Sequence, residues 1–305
     1  MQQGTVCGER YQVQKKLGEG SFGQVYLMLD LKTGKNVAAK MEPANVRGPQ
    51  LPYEKKLYEA FFGEFGFPNL KWFGVSVDQY SRKKFSVLVC DLLGSSLEDL
   101  FNKCGRRFTP MTVLLIGEQV IARLQTLHKF HYVHRDIKPD NFLIGRDAAS
   151  KTIHIIDFGL SKRYRDPKTY RHAEYSEGHD MTGTPRYASI NNHLGAEQSR
   201  RDDMESVGYM LVYLALGKLP WQGLQADTPK KKHRKIAEVK LQIKVPDLCR
   251  GCPWPLRKYL DLTRSMRYED QPDYQQLIEC FSRGIDSGDF GDRRDGFDWE
   301  RPRRW

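Results

Sequence analysis

The sequence predicts an α+β chain in two parts, strand-rich with one helix up to about Leu93 and mostly helical beyond it. Three observations lead there. Residues 11–17, 24–31 and 35–41 are β-prone stretches broken by glycine-containing turns. Residues 70–77 and 85–90 repeat the pattern on either side of a polar turn at 78–84. From Thr109-Pro110 to about His131 the spacing becomes helical, with apolar residues at 113, 114, 116, 120, 121, 124 and 127. That spacing is core packing and needs no functional role. A chain of 305 residues with 39% hydrophobic content has material for one large two-part domain or two ordinary ones.

Composition narrows the function classes. No apolar run approaches the roughly 18 residues that span a bilayer, and Met1-Gln2-Gln3-Gly4-Thr5 shows no secretory signal pattern. The six scattered cysteines are expected as free thiols, and Cys249-Arg-Gly-Cys252 lacks the second pair that a zinc site needs. A cytoplasmic protein is expected, with Lys230-Lys231-Lys232-His233-Arg234-Lys235 readable either as a solvated charge run or as a nuclear-import signal. The net charge of +11 favours acidic partners. No zinc-finger or RNP-type motif supports nucleic acid as the main ligand.

The elements follow in order. Gly18-Glu19-Gly20-Ser21-Phe22-Gly23 separates the first two strands. Glycines at these intervals let backbone amides approach phosphate oxygens with no Cβ in the way. A dinucleotide fingerprint needs its glycines to open a helix. Here Gln24-Val25-Tyr26-Leu27 continues as strand, as in a kinase Gly-rich loop. Val37-Ala38-Ala39-Lys40 then places a lysine inside an apolar strand. Its partner is expected on the next helix, which Pro52 can start; Glu54 is preferred over Glu59 and Glu64. Asp91-Leu92-Leu93-Gly94 reads as a hinge for an adenine ring, bonded to the backbone of Asp91 and Leu93 with Cys90 behind it. A helix starts near Ser96, where Ser96-Leu-Glu-Asp99 has the form of a capping box.

His134-Arg135-Asp136-Ile137-Lys138-Pro139-Asp140-Asn141 gathers a carboxylate, a lysine and an amide within eight residues, stiffened by a proline. The carboxylate can take a hydroxyl proton, the ammonium can meet a phosphoryl oxygen, and the amide oxygen can bind magnesium. This is the pattern of a protein-kinase catalytic loop. Strands at 142–144 and 152–156 fold back so that Asp157-Phe158-Gly159, sixteen residues beyond Asn141, can return to it.

Further blocks set the group. Leu92-Leu93-Gly94-Ser-Ser-Leu-Glu-Asp-Leu100, Thr182-Gly183-Thr184-Pro185-Arg186-Tyr187-Ala188-Ser189-Ile190-Asn191, Ser199-Arg200-Arg201-Asp202-Asp203-Met204-Glu205-Ser206 and Leu219-Pro220-Trp221-Gln222-Gly223-Leu224 closely resemble the casein kinase I family of serine/threonine kinases. The resemblance runs over residues 11–283. It implies a two-lobed kinase fold divided near residue 93, with ATP between the lobes, and Mg²⁺. It also implies acidic or phosphate-primed protein substrates, and a monomer is expected. By the same resemblance Asp136 deprotonates the acceptor, Lys138 steadies the phosphoryl group, Lys40 with Glu54 grips the nucleotide phosphates, and Asn141 and Asp157 hold the metal. Leu17, Gly18, Gly20, Ser21, Gly23, Val25, Ala38, Lys40, Asp91, Leu93, Leu143 and Ile156 would enclose the nucleotide. Arg186, Gly223 and Lys232 would bind a substrate anion, and Asp203 would anchor the catalytic loop. Cys90 departs from the larger residue expected, the 78–84 hairpin looks longer than usual, and residues 227–260 match poorly outside the basic run. Residues 284–305 are expected to pack on the helical lobe through Phe290, Phe297, Trp299 and Trp305.

Overall fold

The computed structural model describes residues 1–20 and 23–300. The chain forms two compact units. Of the described residues, one comprises Met1–Gly94, Ile144–Ser150 and His154–Gly159; the other comprises Ser95–Leu143, Lys151–Ile153 and 160–300. The first unit therefore takes in more than a cut near residue 93 would give it. The physical reason is hydrogen bonding: Gly94 N–H donates to the Ile144 carbonyl (2.8 Å), and Ile155 N–H donates to that of Gly66 (3.0 Å).

The first unit is built on six antiparallel strands, β1 (Val6–Cys7), β2 (Tyr11–Gly20), β3 (Gly23–Asp30), β4 (Asn36–Pro43), β5 (Leu70–Val77) and β6 (Lys84–Asp91), ordered β1-β2-β3-β4-β6-β5. Successive side chains of a strand point to opposite faces. Tyr26 and Met28 of β3, Val37, Ala39 and Met41 of β4, and Val87 and Val89 of β6 fill a core with Cys7, Tyr11 and Val13. That alternation leaves Val25, Ala38 and Lys40 together on the other face, with Val25 paired to Lys40 and Ala38 to Cys90. Helix α1 (Leu51–Ala60) has Pro52 in its first turn, as expected, and its N-terminal amides of Gln50 and Leu51 are accepted by the Glu42 carboxylate at 3.1 and 3.0 Å. An acidic side chain there satisfies orphan donors and complements the helix dipole.

The second unit is mainly helical. Its helices are α2 (Leu97–Lys103), α3 (Pro110–Lys129), α4 (Ile190–His193), α5 (Arg200–Leu216), α6 (Pro229–Gln242), α7 (Val245–Leu248), α8 (Trp254–Arg264) and α9 (Tyr274–Asp286). The Ser96/Asp99 capping box of α2 is present in both directions. Helix α3 packs on α5 and α9, and α5 is buried on nearly all sides. Its later turns, from Val207 to Leu216, are apolar on every side, and such a stretch has to be central. It ends at Gly217, where φ of +84° supplies the left-handed turn that glycine takes without strain. Helix α3 stops at Lys129, short of His131, whose φ of +71° turns the chain out of the helix.

The C-terminal segment packs on the same unit. Phe297 is buried and stacked on Trp299 at 4.3 Å, and Trp299 meets Phe108 edge-on at 5.5 Å. Asp298 accepts from the Thr109 amide (2.6 Å) and hydroxyl (2.8 Å) at the start of α3. Trp305 lies outside the described residues. Among the described residues, no helix is long and apolar enough to cross a membrane.

Candidate active site

Three charged groups converge within the first unit. Lys40, on the face of β4 opposite the core, donates to Glu54 Oε1 at 2.5 Å and to Asp157 Oδ1 at 2.7 Å. Glu54 is the partner among the three candidates, because α1 turns it inward with no solvent exposure, whereas exposed Glu59 pairs with Lys55 four residues earlier. Burial alone would lower Lys40, but the two carboxylates outweigh it and hold the ammonium above its ordinary value. Burial pushes Glu54 up to about 7, with Lys40 opposing. Asp157 takes a backbone φ of +64°. Next to it, Phe158 packs among Tyr58, Phe61 and Phe67 and fastens this turn to α1. A Cβ on Gly159 would come within 2.7 Å of Glu54 Oε1, so glycine there lets the turn approach the helix.

The glycines of the β2–β3 turn are not alike. Gly23 has a φ of +144°, and a Cβ there would sit 2.4 Å from the Met41 carbonyl oxygen. Gly18 and Gly20 face open space, so nothing among the described residues requires glycine at either position. Ser21 lies outside the described residues. At the hinge, the Asp91 amide donates to the Asn69 carbonyl (3.1 Å), and its carboxylate is held by Lys71 and Asn69. Any backbone bond from Asp91 to a ligand must therefore come from its carbonyl oxygen. Burial pushes the Cys90 thiol up to about 12. Leu17, Leu93 and Ile156 belong to this unit, and Leu143 to the other.

In the second unit the loop 134–141 is tied down from several directions. Asp203, near the N-terminus of α5, accepts the backbone amides of His134 (2.7 Å) and Arg135 (2.9 Å) and faces His128 Nε2 at 2.9 Å. Within the loop, Asp136 receives Lys138 Nζ at 2.6 Å and the Thr184 hydroxyl at 2.7 Å. Asn141 turns its amide nitrogen to the Asp136 carbonyl (2.9 Å), which leaves its amide oxygen as the donor for a ligand. The Asn141 amide oxygen and the Asp157 carboxylate are each a hard oxygen donor of the kind that suits magnesium. Gly183, at a φ of +86°, passes so close to the loop that a Cβ would sit 2.2 Å from the Arg135 carbonyl oxygen.

The residues expected to bind a substrate anion are placed differently from one another. The Arg186 guanidinium lies over the rings of Tyr187 and Tyr213, and its carbonyl accepts from Trp221 Nε1 at 2.7 Å. Trp221 thereby joins Arg186 to the turn that carries Gly223, which is exposed with a φ of +77°. Lys232 stands exposed on α6. Cys249 and Cys252 are both pushed up to about 12 by burial, which disfavours the thiolates that zinc or redox chemistry requires.

Sequence reasoning missed His128, Thr184 and Lys240. His128 lay within a helical pattern read as core, and Thr184 lay within a matching block but carried no role. Only a histidine at the buried end of an apolar helix hinted at the first.

A strand lysine paired with a helix glutamate, and a carboxylate braced by a lysine two residues on, define a phosphoryl-transfer enzyme. Residues 11–281 match the family model of the protein kinase domain, and the chain belongs to that family. It has the β-rich and helical halves of the two-lobed α+β kinase fold.

Proposed function

We propose that this kinase transfers the γ-phosphoryl group of ATP to serine or threonine hydroxyls in acidic or phosphate-primed proteins, as casein kinase I enzymes do. The observation that carries this reading is the Asp136 carboxylate. It is nearly buried, with one oxygen on Lys138 and the other on the Thr184 hydroxyl. A carboxylate fixed in that way is set to accept the acceptor hydroxyl's proton while that oxygen attacks the γ-phosphorus and the bond to the ADP bridging oxygen breaks. Lys138 meets the charge on the phosphoryl oxygens, and its place two residues after Asp136 supports serine/threonine over tyrosine acceptors. Lys40, oriented by Glu54, holds the nucleotide phosphates. Asn141 and Asp157 would hold Mg²⁺, which neutralises charge on the phosphates when bound. Such catalysis is mostly positioning and charge stabilisation. Arg186, with Gly223 and Lys232, would select substrates carrying an anion N-terminal to the acceptor, because a guanidinium can bind phosphate through two parallel bonds.

Radiolabel transfer from ATP to casein tests the reading. The wild-type chain should label serine and threonine, and Asp136→Asn should lower the rate by about 100-fold or more. Nucleotide binding with no label transfer by the wild-type chain would instead point to a binding scaffold.

A further inference from the structure

Helix α6 is rich in lysine, but one of its lysines behaves unlike the others. Lys230, Lys231, Lys232 and Lys235 are exposed, whereas Lys240 has no solvent exposure at all. It follows Ile236 and Ala237 by four and three residues, so it shares their buried face. Lysine is almost never fully buried without partners, and a methionine would fill the same space without desolvating an amine.

Its partners explain the choice. The Lys240 amine donates to the carbonyls of Pro185 (2.9 Å) and Ala188 (2.5 Å) and sits 3.1 Å from His193 Nε2. The rings of Tyr209 and Trp221 close over it, each 4.9 Å away. Those carbonyls belong to the turn between Thr182 and Ser189 and need donors once buried. The same turn runs back to the catalytic loop. Ala188 N–H and Tyr187 N–H both donate to the Thr184 carbonyl, at 3.1 and 3.0 Å, and the Thr184 hydroxyl donates to Asp136. The turn also carries Arg186.

We propose that Lys240 is a positioning residue for phosphoryl transfer, a latch that fixes the 184–188 turn and through it the Thr184–Asp136 bond and the placement of Arg186. The proposal rests on the reading of the site given above. Around the amine, His193 faces it from α4, Tyr209 and Glu205 from α5, and Arg264 from α8; Glu205 receives the Tyr209 hydroxyl and Arg264 also bonds it. Burial pulls Lys240 down to about 7, with Arg264 adding to the effect and Glu205 opposing it. Protonated or neutral, the amine keeps at least two N–H groups. Two are enough for the Pro185 and Ala188 carbonyls.

The test compares the wild-type chain with Lys240→Met and Lys240→Gln. With a peptide carrying phosphoserine a few residues before the acceptor, Lys240→Met should lower kcat/KM by roughly 10- to 100-fold while the KM for ATP stays within about 2-fold. Lys240→Gln, which keeps an N–H pair, should fall between. Hydrogen exchange should speed up in Lys240→Met at Tyr187 and Ala188 while the amides of α5 stay protected. Unchanged peptide kinetics in Lys240→Met overturn the proposal, as does a loss of protection spread over the whole helical unit. Fast exchange of the Tyr187 and Ala188 amides in the wild-type chain overturns it even if neither variant folds. If the wild-type chain transfers no label to any protein, the proposed function fails first, and the exchange data alone then show whether the turn is latched.

Discussion

His128 and Asp203 meet at 2.9 Å inside the helical unit, each almost wholly out of solvent. The other ring nitrogen of His128 is bonded to the Tyr274 hydroxyl at 2.8 Å, so the imidazole is wedged between α9 and the carboxylate that holds the catalytic loop. Burial lowers the His128 pKa, with Asp203 opposing, and hydrogen bonds keep Asp203 below the ordinary carboxylate range despite its burial. The pair therefore stands as neutral imidazole and ionised carboxylate.

A pH dependence of stability follows from that pair. Because the folded pKa of His128 is depressed, the unfolded chain binds a proton there before the folded one does. The stability that neutral His128 contributes is present above the ordinary histidine value of about 6.5 and is lost as pH falls below it. Urea midpoints of the wild-type chain and His128→Gln should thus converge between pH 7 and pH 5. A gap that stays constant across that range contradicts the neutral assignment. Below about pH 4 protonation of Asp203 should remove further stability from the wild-type chain.

Asp203→Asn should uncouple activity from affinity. The amide that replaces one oxygen cannot accept a backbone N–H, so the His134–Arg135 segment shifts. Misplacement by about 1 Å can cost on the order of 100-fold in turnover. Steady-state kinetics should show kcat reduced to that degree with the KM for ATP nearly unchanged. Equal losses in both would mean that the unit as a whole had been disturbed.

Glu54→Gln should lower activity without lowering stability. The substitution keeps shape but removes the charge that orients Lys40, and a hydrogen bond to a charged group contributes about 1.5–3 kcal/mol. A loss in kcat/KM of roughly 10- to 100-fold is expected. Burial disfavours the ionised carboxyl, as its rise to about 7 indicates, so Tm at neutral pH should hold or increase. A large drop in Tm would show that the ion pair is chiefly structural.

Gly183→Ala should be among the most damaging small changes. Its φ of +86° disfavours any side chain, and the new Cβ would meet the Arg135 carbonyl at 2.2 Å, a backbone atom that cannot swing aside. The strain is of order 1–3 kcal/mol, and relieving it would pull Thr184 from Asp136. Label transfer should fall more than thermal stability does.

Asp298→Ala should act on stability alone. It removes the carboxylate that bonds Thr109 at the start of α3, which costs about 1–3 kcal/mol. Chemical denaturation should show that loss with kcat unchanged. An undiminished unfolding free energy would mean that the C-terminal segment is held by Phe297 and Trp299 without it.

Much of this protein could be read without a structure, and the reason is local. The strands around Lys40 showed themselves as β-prone stretches between glycine-containing turns, α2 by its capping residues and α3 by its apolar spacing. The loop from His134 to Asn141 showed itself through residue types whose chemistry is dense enough to recognise in eight consecutive positions. Even the choice of Glu54 needed only a proline to start its helix and its place as the first acidic residue there.

What the tertiary structure alone decided is which polar side chains lie inside. His128 and Lys240 sit in stretches whose local pattern says helix or solvated charge, and each is buried against partners distant in sequence. Lys240 lies over fifty positions from the carbonyls it holds. Burial turns an ordinary lysine or histidine into a fixed strut, because a polar group taken out of water must find its partners within the fold. Local sequence states what a residue can do, and only the packing of remote segments determines what it must bond.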